Sequence, residues 1–141
     1  MVKLINTSRF SSFMEEIEKT MRSNHDAHDL LLGILYNFPE EANWDEIKFH
    51  EALYKFSLKY RILDKYSFEN FNGSKYCNAF GKVFDLLELS GLLKRKVDKT
   101  KLFLEVIRAH FDEEIKKTFE ERDLNDISNL AEDLMIELNI A

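Results

Sequence analysis

Apolar residues recur at helical spacing through most of this chain, and polar punctuation divides them into segments. Ser12, with Glu15 three residues on, makes a capping-box pattern, and Phe13, Ile17 and Met21 then repeat every fourth residue, which predicts a helix over about 12–23. Asp26 and Asp29 form an acidic start for a second helix over about 27–37, carried by Leu30, Leu31, Ile34, Leu35 and Phe38 up to Pro39. Asn43 and Glu46 open a third, about 44–60. Its Phe49, Ala52, Leu53, Phe56 and Tyr60 form one apolar face, and Ile47, Tyr54 and Leu58 form a second nearly opposite. A helix apolar on two sides is expected to be sandwiched in the core or between core and partner.

Residues 61–74 read as a connector, with Asn72-Gly73 as a turn signal and Ser74 as the next N-cap. A fourth helix, about 75–90, turns Tyr76, Phe80, Val83, Phe84 and Leu87 inward, and Gly91 is placed to end it in a left-handed conformation. The stretch that follows carries two patterns. Leu92 to Val97 and Lys101 to Val106 can pair as a hairpin around DKTK, whereas Phe103, Ile107, Phe111, Ile115 and Phe119 recur every fourth residue as in a helix. A short hairpin followed by a helix over about 105–121 satisfies both. A last helix, about 124–139, has Leu124, Ile127, Ala131, Leu134 and Leu138 in a three-four alternation. The expected architecture is mainly α, a single domain over 1–141 with one short β-hairpin and two C-terminal helices.

Composition narrows the class. The chain has 141 residues, 45% of them hydrophobic and 33% charged, with twelve Phe, four Gly and one Pro, which suits a globular and largely helical domain. It contains no apolar run long enough to span a bilayer and no signal-peptide pattern, and Cys77 has no second cysteine to pair with. A soluble, cytoplasmic protein is expected. The net charge of −6 is uneven: residues 1–97 are neutral overall, and the whole deficit lies in 98–141. A polyanion would be repelled from that C-terminal end, so contact with nucleic acid would have to use the earlier basic segments.

LLELSGLLKRKV, with the helices before it, resembles the winged-helix superfamily, in which a helix closes on "sGLL" and a two-stranded wing follows. The likeness covers about 26–106, leaving about 107–141 as an acidic helical extension. It implies a domain that binds duplex DNA or serves as a protein-protein adaptor or regulator.

Within that frame, Lys75, Asn78 and Lys82 would stand on the outward face of the fourth helix, beside Cys77, Gly81, Asp85 and Glu88. No arginine is there to make the bidentate guanine contact that commonly reads sequence. Lys94, Arg95, Lys96, Lys99 and Lys101 against Asp98 give the hairpin a local charge of +4, suited to a phosphate backbone or to an acidic partner. Cations on an edge strand also serve simply to block pairing with other chains. Lys48, Lys55 and Lys59 form a further basic row. Leu124, Ile127, Leu134 and Leu138 are candidates for an interface with a protein partner or a second copy in a homodimer. The balance of charge, the two-sided helix and this amphipathic end favour a non-enzymatic protein-protein adaptor or regulator, with DNA binding as the alternative.

His25 and His28, one turn apart beside Asp26 and Asp29, supply two imidazoles where zinc needs three or four ligands, and neither His50 nor His110 has a spacing that completes the set. The carboxylates are better read as favourable charge at a helix start. No base is placed beside Cys77 and no glycine-rich phosphate loop occurs, so neither catalysis nor a cofactor is expected.

Overall fold

The computed structural model describes residues 27–140; the helix expected over 12–23, His25 and Asp26 lie outside them. Helix α1 covers 27–35, and Leu30, Leu31, Leu32, Ile34 and Leu35 are all buried. With side chains buried around its whole circumference, α1 is the central helix of the domain. Strand β1 (Glu41–Ala42) follows, then α2 (Glu46–Lys55), which Asp45 caps by accepting a hydrogen bond from the Lys48 N–H. A 3-10 turn at Arg61–Leu63 leads to β2 (Glu69–Phe71), β3 (Ser74–Tyr76) and α3 (Asn78–Leu89). Strands β4 (Leu93–Lys96) and β5 (Lys99–Leu102) come next, and α4 (Leu104–His110) and α5 (Glu121–Glu137) complete the described chain.

The chain is mainly helical, with two small antiparallel sheets. In the larger, strands lie in the order β1-β5-β4, so the strand between α1 and α2 closes onto the hairpin that follows α3. The hairpin turns at Val97-Asp98, where Asp98 is left-handed (φ +66°). Gly91 ends α3 as its position predicts: its φ is +82°, and the Leu92 N–H reaches back to the Leu87 carbonyl.

Four expectations need correction. The hairpin forms, but it turns at Val97-Asp98 rather than at DKTK, and its second strand is Lys99–Leu102 rather than 101–106, because α4 takes over at Leu104. The stretch 61–74 is not a plain connector, and Ser74 is not a helix cap. Asn72 and Gly73, both at positive φ, join β2 to β3, and α3 starts three residues later than the pattern placed it. The sandwiched helix is α1 rather than α2: α2 ends at Lys55, and Ile47, Tyr54 and Leu58 face solvent at 60%, 43% and 98% exposure. The helix expected over 105–121 is interrupted. An apolar repeat of four residues outruns the 3.6-residue turn of an α-helix, so its stripe drifts around the cylinder. A wider π turn at Phe111–Ile115 takes up the drift and leaves Ile107, Phe111 and Ile115 all buried, and a 3-10 turn at Lys116–Thr118 follows.

The core is continuous from α1 through α5. At one end Phe38, Trp44, Phe49 and Phe84 meet edge to face or tilted, with ring centroids 5.1–6.3 Å apart. Thr100 of β5 fastens the sheet to this cluster by donating from its buried hydroxyl to the Trp44 carbonyl at 2.6 Å.

Candidate functional site: the lysine face of the sheet

Side chains alternate between faces along a strand, and the register of β4 and β5 sorts the hairpin cations accordingly. Leu93 pairs with Leu102 and Arg95 with Thr100. Leu93, Thr100 and Leu102 are buried, so this face points into the molecule. Lys94 pairs with Lys101 and Lys96 with Lys99, placing four lysines together on the outer face. From β1 only Glu41, opposite Lys101, joins them. Four lysines and one carboxylate leave this face with a local charge of +3.

Arg95 has a different environment. Its guanidinium donates to Glu46 Oε1 at 2.5 Å and lies 3.3 Å from Glu88 Oε1, tying β4 to the start of α2 and the end of α3. Glu46 is itself held by His50 at 3.0 Å from Nε2, one helical turn away. The His50 ring is fully buried and stacks on Tyr76 at 4.2 Å, and its Nδ1 accepts from the Cys77 N–H. That acceptor role assigns the ring proton to Nε2, which donates to Glu46. Arg95, Glu46, His50 and the first turn of α3 therefore form one connected polar network on the inner side.

On the outer face the counter-charge is scarce. Glu41 lies 3.3 Å from Lys96 Nζ and 3.7 Å from Lys99 Nζ, and the hydrogen bond from Lys96, followed by the charges of Lys96, Lys99 and Lys101, holds its carboxyl below its ordinary pKa. Lys94 and Lys101 make no ion pair with any described residue. Like charges directly opposite across a ladder are destabilising, and here two such pairs sit side by side.

The remaining candidates are dispersed. Asn78 and Lys82 are exposed on α3, and Lys75 lies on β3 with its ammonium 5.1 Å from the Tyr54 ring. Cys77 and Gly81, expected outward, are buried. The Tyr76 ring packs so closely on Gly81 that an added Cβ would fall 1.8 Å from the phenol oxygen. Burial also pushes the Cys77 thiol pKa up, away from nucleophilic character. Since α3 reaches Arg95 on the inner side, it and the lysine quartet lie on opposite sides of the sheet.

Lys55 and Lys59 reach α5 instead, bonding Glu137 and Asp133, each at 2.8 Å. The expected interface on α5 is spent within the chain: Ile127 and Leu134 are buried in the core, and Leu124 and Leu138 pack half-buried against it. Among the described residues no group of three or more His, Cys, Asp or Glu side chains could hold a metal ion, and no helix is long and apolar enough to cross a membrane. A cavity of about 690 Å³ lies between the 61–66 segment and the start of α5. Among the described residues its lining combines four cations (Lys59, Arg61, Lys65, Arg122) with four acids (Asp29, Asp64, Asp123, Asp126).

The hairpin's charge was legible in sequence, but its division was not drawn. The signal was the strand period of two, which separates Arg95 from Lys94 and Lys96, together with the i,i+4 spacing of Glu46 and His50. No protein-family model, curated protein or solved structure matches this chain.

Proposed function

We propose that this chain is a non-enzymatic binding protein of winged-helix plan whose partner is nucleic acid, engaged through the lysine face of the sheet. Support for the plan comes from the succession helix, strand, helix, helix, hairpin, with β1 closing onto β5. The β2–β3 hairpin between α2 and α3 is a departure from the compact turn expected there. The observation that carries the binding role is the position of Lys99 and Lys101. Blocking edge pairing accounts for lysines on β4, the outer strand, but β5 is central and already paired on both sides. A central strand needs no such block, and among the described residues Glu41 is the one carboxylate set against two lysines that face two more, which leaves positive charge for an anionic partner to cover.

The test is fluorescence anisotropy with labelled duplex DNA at about 50 mM and 200 mM salt. Binding is expected at low salt, weakening roughly 40- to 150-fold between the two, as release of counterions from three or four phosphates requires. Lys94→Ala with Lys101→Ala should remove most of it. Absence of binding at low salt would overturn the reading.

A second reading, a protein-protein adaptor, is favoured by the exposed stripe of α2. Ile47 at 60% and Phe71 of β2 at 62% exposure border a cleft of about 350 Å³. Exposed apolar clusters of this kind mark interaction surfaces. If the protein self-associates there, its mass in solution should rise with concentration, and Ile47→Asp should return it to the monomer; a constant monomer mass would remove this route to a homodimer.

A further inference from the structure

Resting on the nucleic-acid reading, we infer that the outer face of the β1-β5-β4 sheet grips the phosphate backbone of a duplex without reading its sequence, and that α3 takes no part in the contact. Three observations lead there. The first is geometric. The lysine quartet is a two-by-two array, with cross-strand neighbours about 4.5–5.5 Å apart and neighbours along each strand about 6.5–7 Å apart. Such an array presents a flat cluster of ammonium groups to a line of phosphates. It does not project a rod into a groove.

The second is chemical. Lysine is a point charge on a flexible stem, suited to phosphates and without the planar fork by which arginine recognises guanine. The one arginine of the hairpin, Arg95, is held on the opposite face by Glu46 and Glu88. The exposed Phe103 stands just past the end of β5, but among the described residues the five strand positions of the outer face (Glu41, Lys94, Lys96, Lys99 and Lys101) include no aromatic side chain on which an unpaired base could stack. That favours a duplex, with its denser charge, over a single strand.

The third is the placement of α3. Helix α3 touches the sheet from the inner side through Glu88 and Arg95, and its exposed surface carries Asp85, Leu86, Glu88 and Leu89 beside Lys82. Glu88 is paired with Arg95, so Asp85 and Lys82 cancel and that surface offers a phosphate backbone no net attraction. Glu41 then acts as an internal competitor, since its carboxylate occupies Lys96 and Lys99 where a phosphate would otherwise sit.

The experiment compares several labelled duplexes of unrelated sequence, and their single strands, over a salt series, using the full chain. Dissociation constants for the duplexes should agree within about threefold, single strands should bind more weakly, and log K should fall against log salt with a slope of roughly −3 to −4. Each Lys→Ala change at 94, 96, 99 or 101 should lower the steepness by about one unit, and Glu41→Gln should raise it. Asn78→Ala and Lys82→Ala should change neither value. Thermal melts of each variant check that the fold is kept. A sequence preference above about tenfold that Asn78→Ala or Lys82→Ala abolishes would overturn the inference while leaving nucleic-acid binding in place. Binding of polyglutamate by the quartet, with no duplex bound at low salt, would overturn both and assign the face to an acidic protein.

Discussion

Two groups of lysines in this molecule look alike in sequence and behave oppositely in structure. Lys55, the last residue of α2, and Lys59, in the turn after it, are about 60% exposed, yet each ends on a carboxylate of α5. Asp133 accepts from both Lys59 and the hydroxyl of buried Tyr60, so this row stitches the α2 end to the last helix. Lys94 and Lys101 stand opposite one another on the sheet with no such partner among the described residues. The first group has its counterions built into the fold, and the second leaves that requirement to the surroundings. Residue type and local density do not distinguish lysines paired within the fold from lysines left without a carboxylate; the geometry of the nearest carboxylates does.

This contrast can be broken or sharpened by mutation. The largest effect is expected at Asp133→Ala, which leaves the Tyr60 hydroxyl buried without its acceptor and should cost about 1–3 kcal/mol in denaturant unfolding. The pH dependence follows from two opposite shifts. Hydrogen bonds from Lys59 and Tyr60 hold the Asp133 carboxyl below its ordinary value of 3.8, so its contribution is complete above about pH 4 and lost as the pH falls through the lower folded value. Burial, followed by the bond to Asp133, pushes the Tyr60 phenol above its ordinary value of 10.0, so that contribution is complete below about pH 10 and lost as the pH rises further. Stability of the wild type should therefore fall on both flanks, and the variant should show a flatter profile; equal profiles would dissolve the tether.

Next in size is Glu46→Gln. Losing the carboxylate leaves Arg95 with Glu88 alone and weakens the His50 bond, at a cost of about 1–2 kcal/mol by thermal melt. A smaller effect of opposite sign is expected at Lys94→Thr, which removes one like-charge pair and should raise stability by roughly 0.2–1 kcal/mol. Destabilisation by that change would show that Lys94 is held in the fold like Lys59. Smallest of all is Glu41→Gln, whose exposed carboxylate should scarcely move the melting temperature, while the proposed lysine face should then bind duplex DNA more tightly in the anisotropy titration.

Legibility in the sequence followed the length and regularity of each pattern. Ser90-Gly91 marks the end of α3 because a residue without a Cβ enters that turn without strain. LLKRKVDKTKL signals a hairpin but not its turn: DKTK reads as the polar turn, whereas Val97 and Asp98 turn the chain, Lys99 and Thr100 belong to β5, and the helical repeat from Phe103 onward claims the residues assigned to the second strand. Helix α5 was visible from Ile127, Ala131 and Leu134. Strand β1, two residues long beside Pro39, carries no periodicity, and its pairing is set by tertiary contact with β5. Strands β2 and β3 are three residues each, too short to alternate, and the helical spacing of Tyr76 and Phe80 masked them. In the site, the four lysines were each identified, but their common face depends on a register fixed by the turn at Val97-Asp98.

That register also limits how the hairpin can be used. Cut out as a peptide, residues 92–103 would keep both lysine pairs and lose Glu41, which faces the lysines, together with Glu46 and Glu88, which hold Arg95. Mutual repulsion would then act on two strands already too few to be stable in water. The hairpin is therefore not a portable unit, and grafting its sequence onto another scaffold should transfer the charge without the shape.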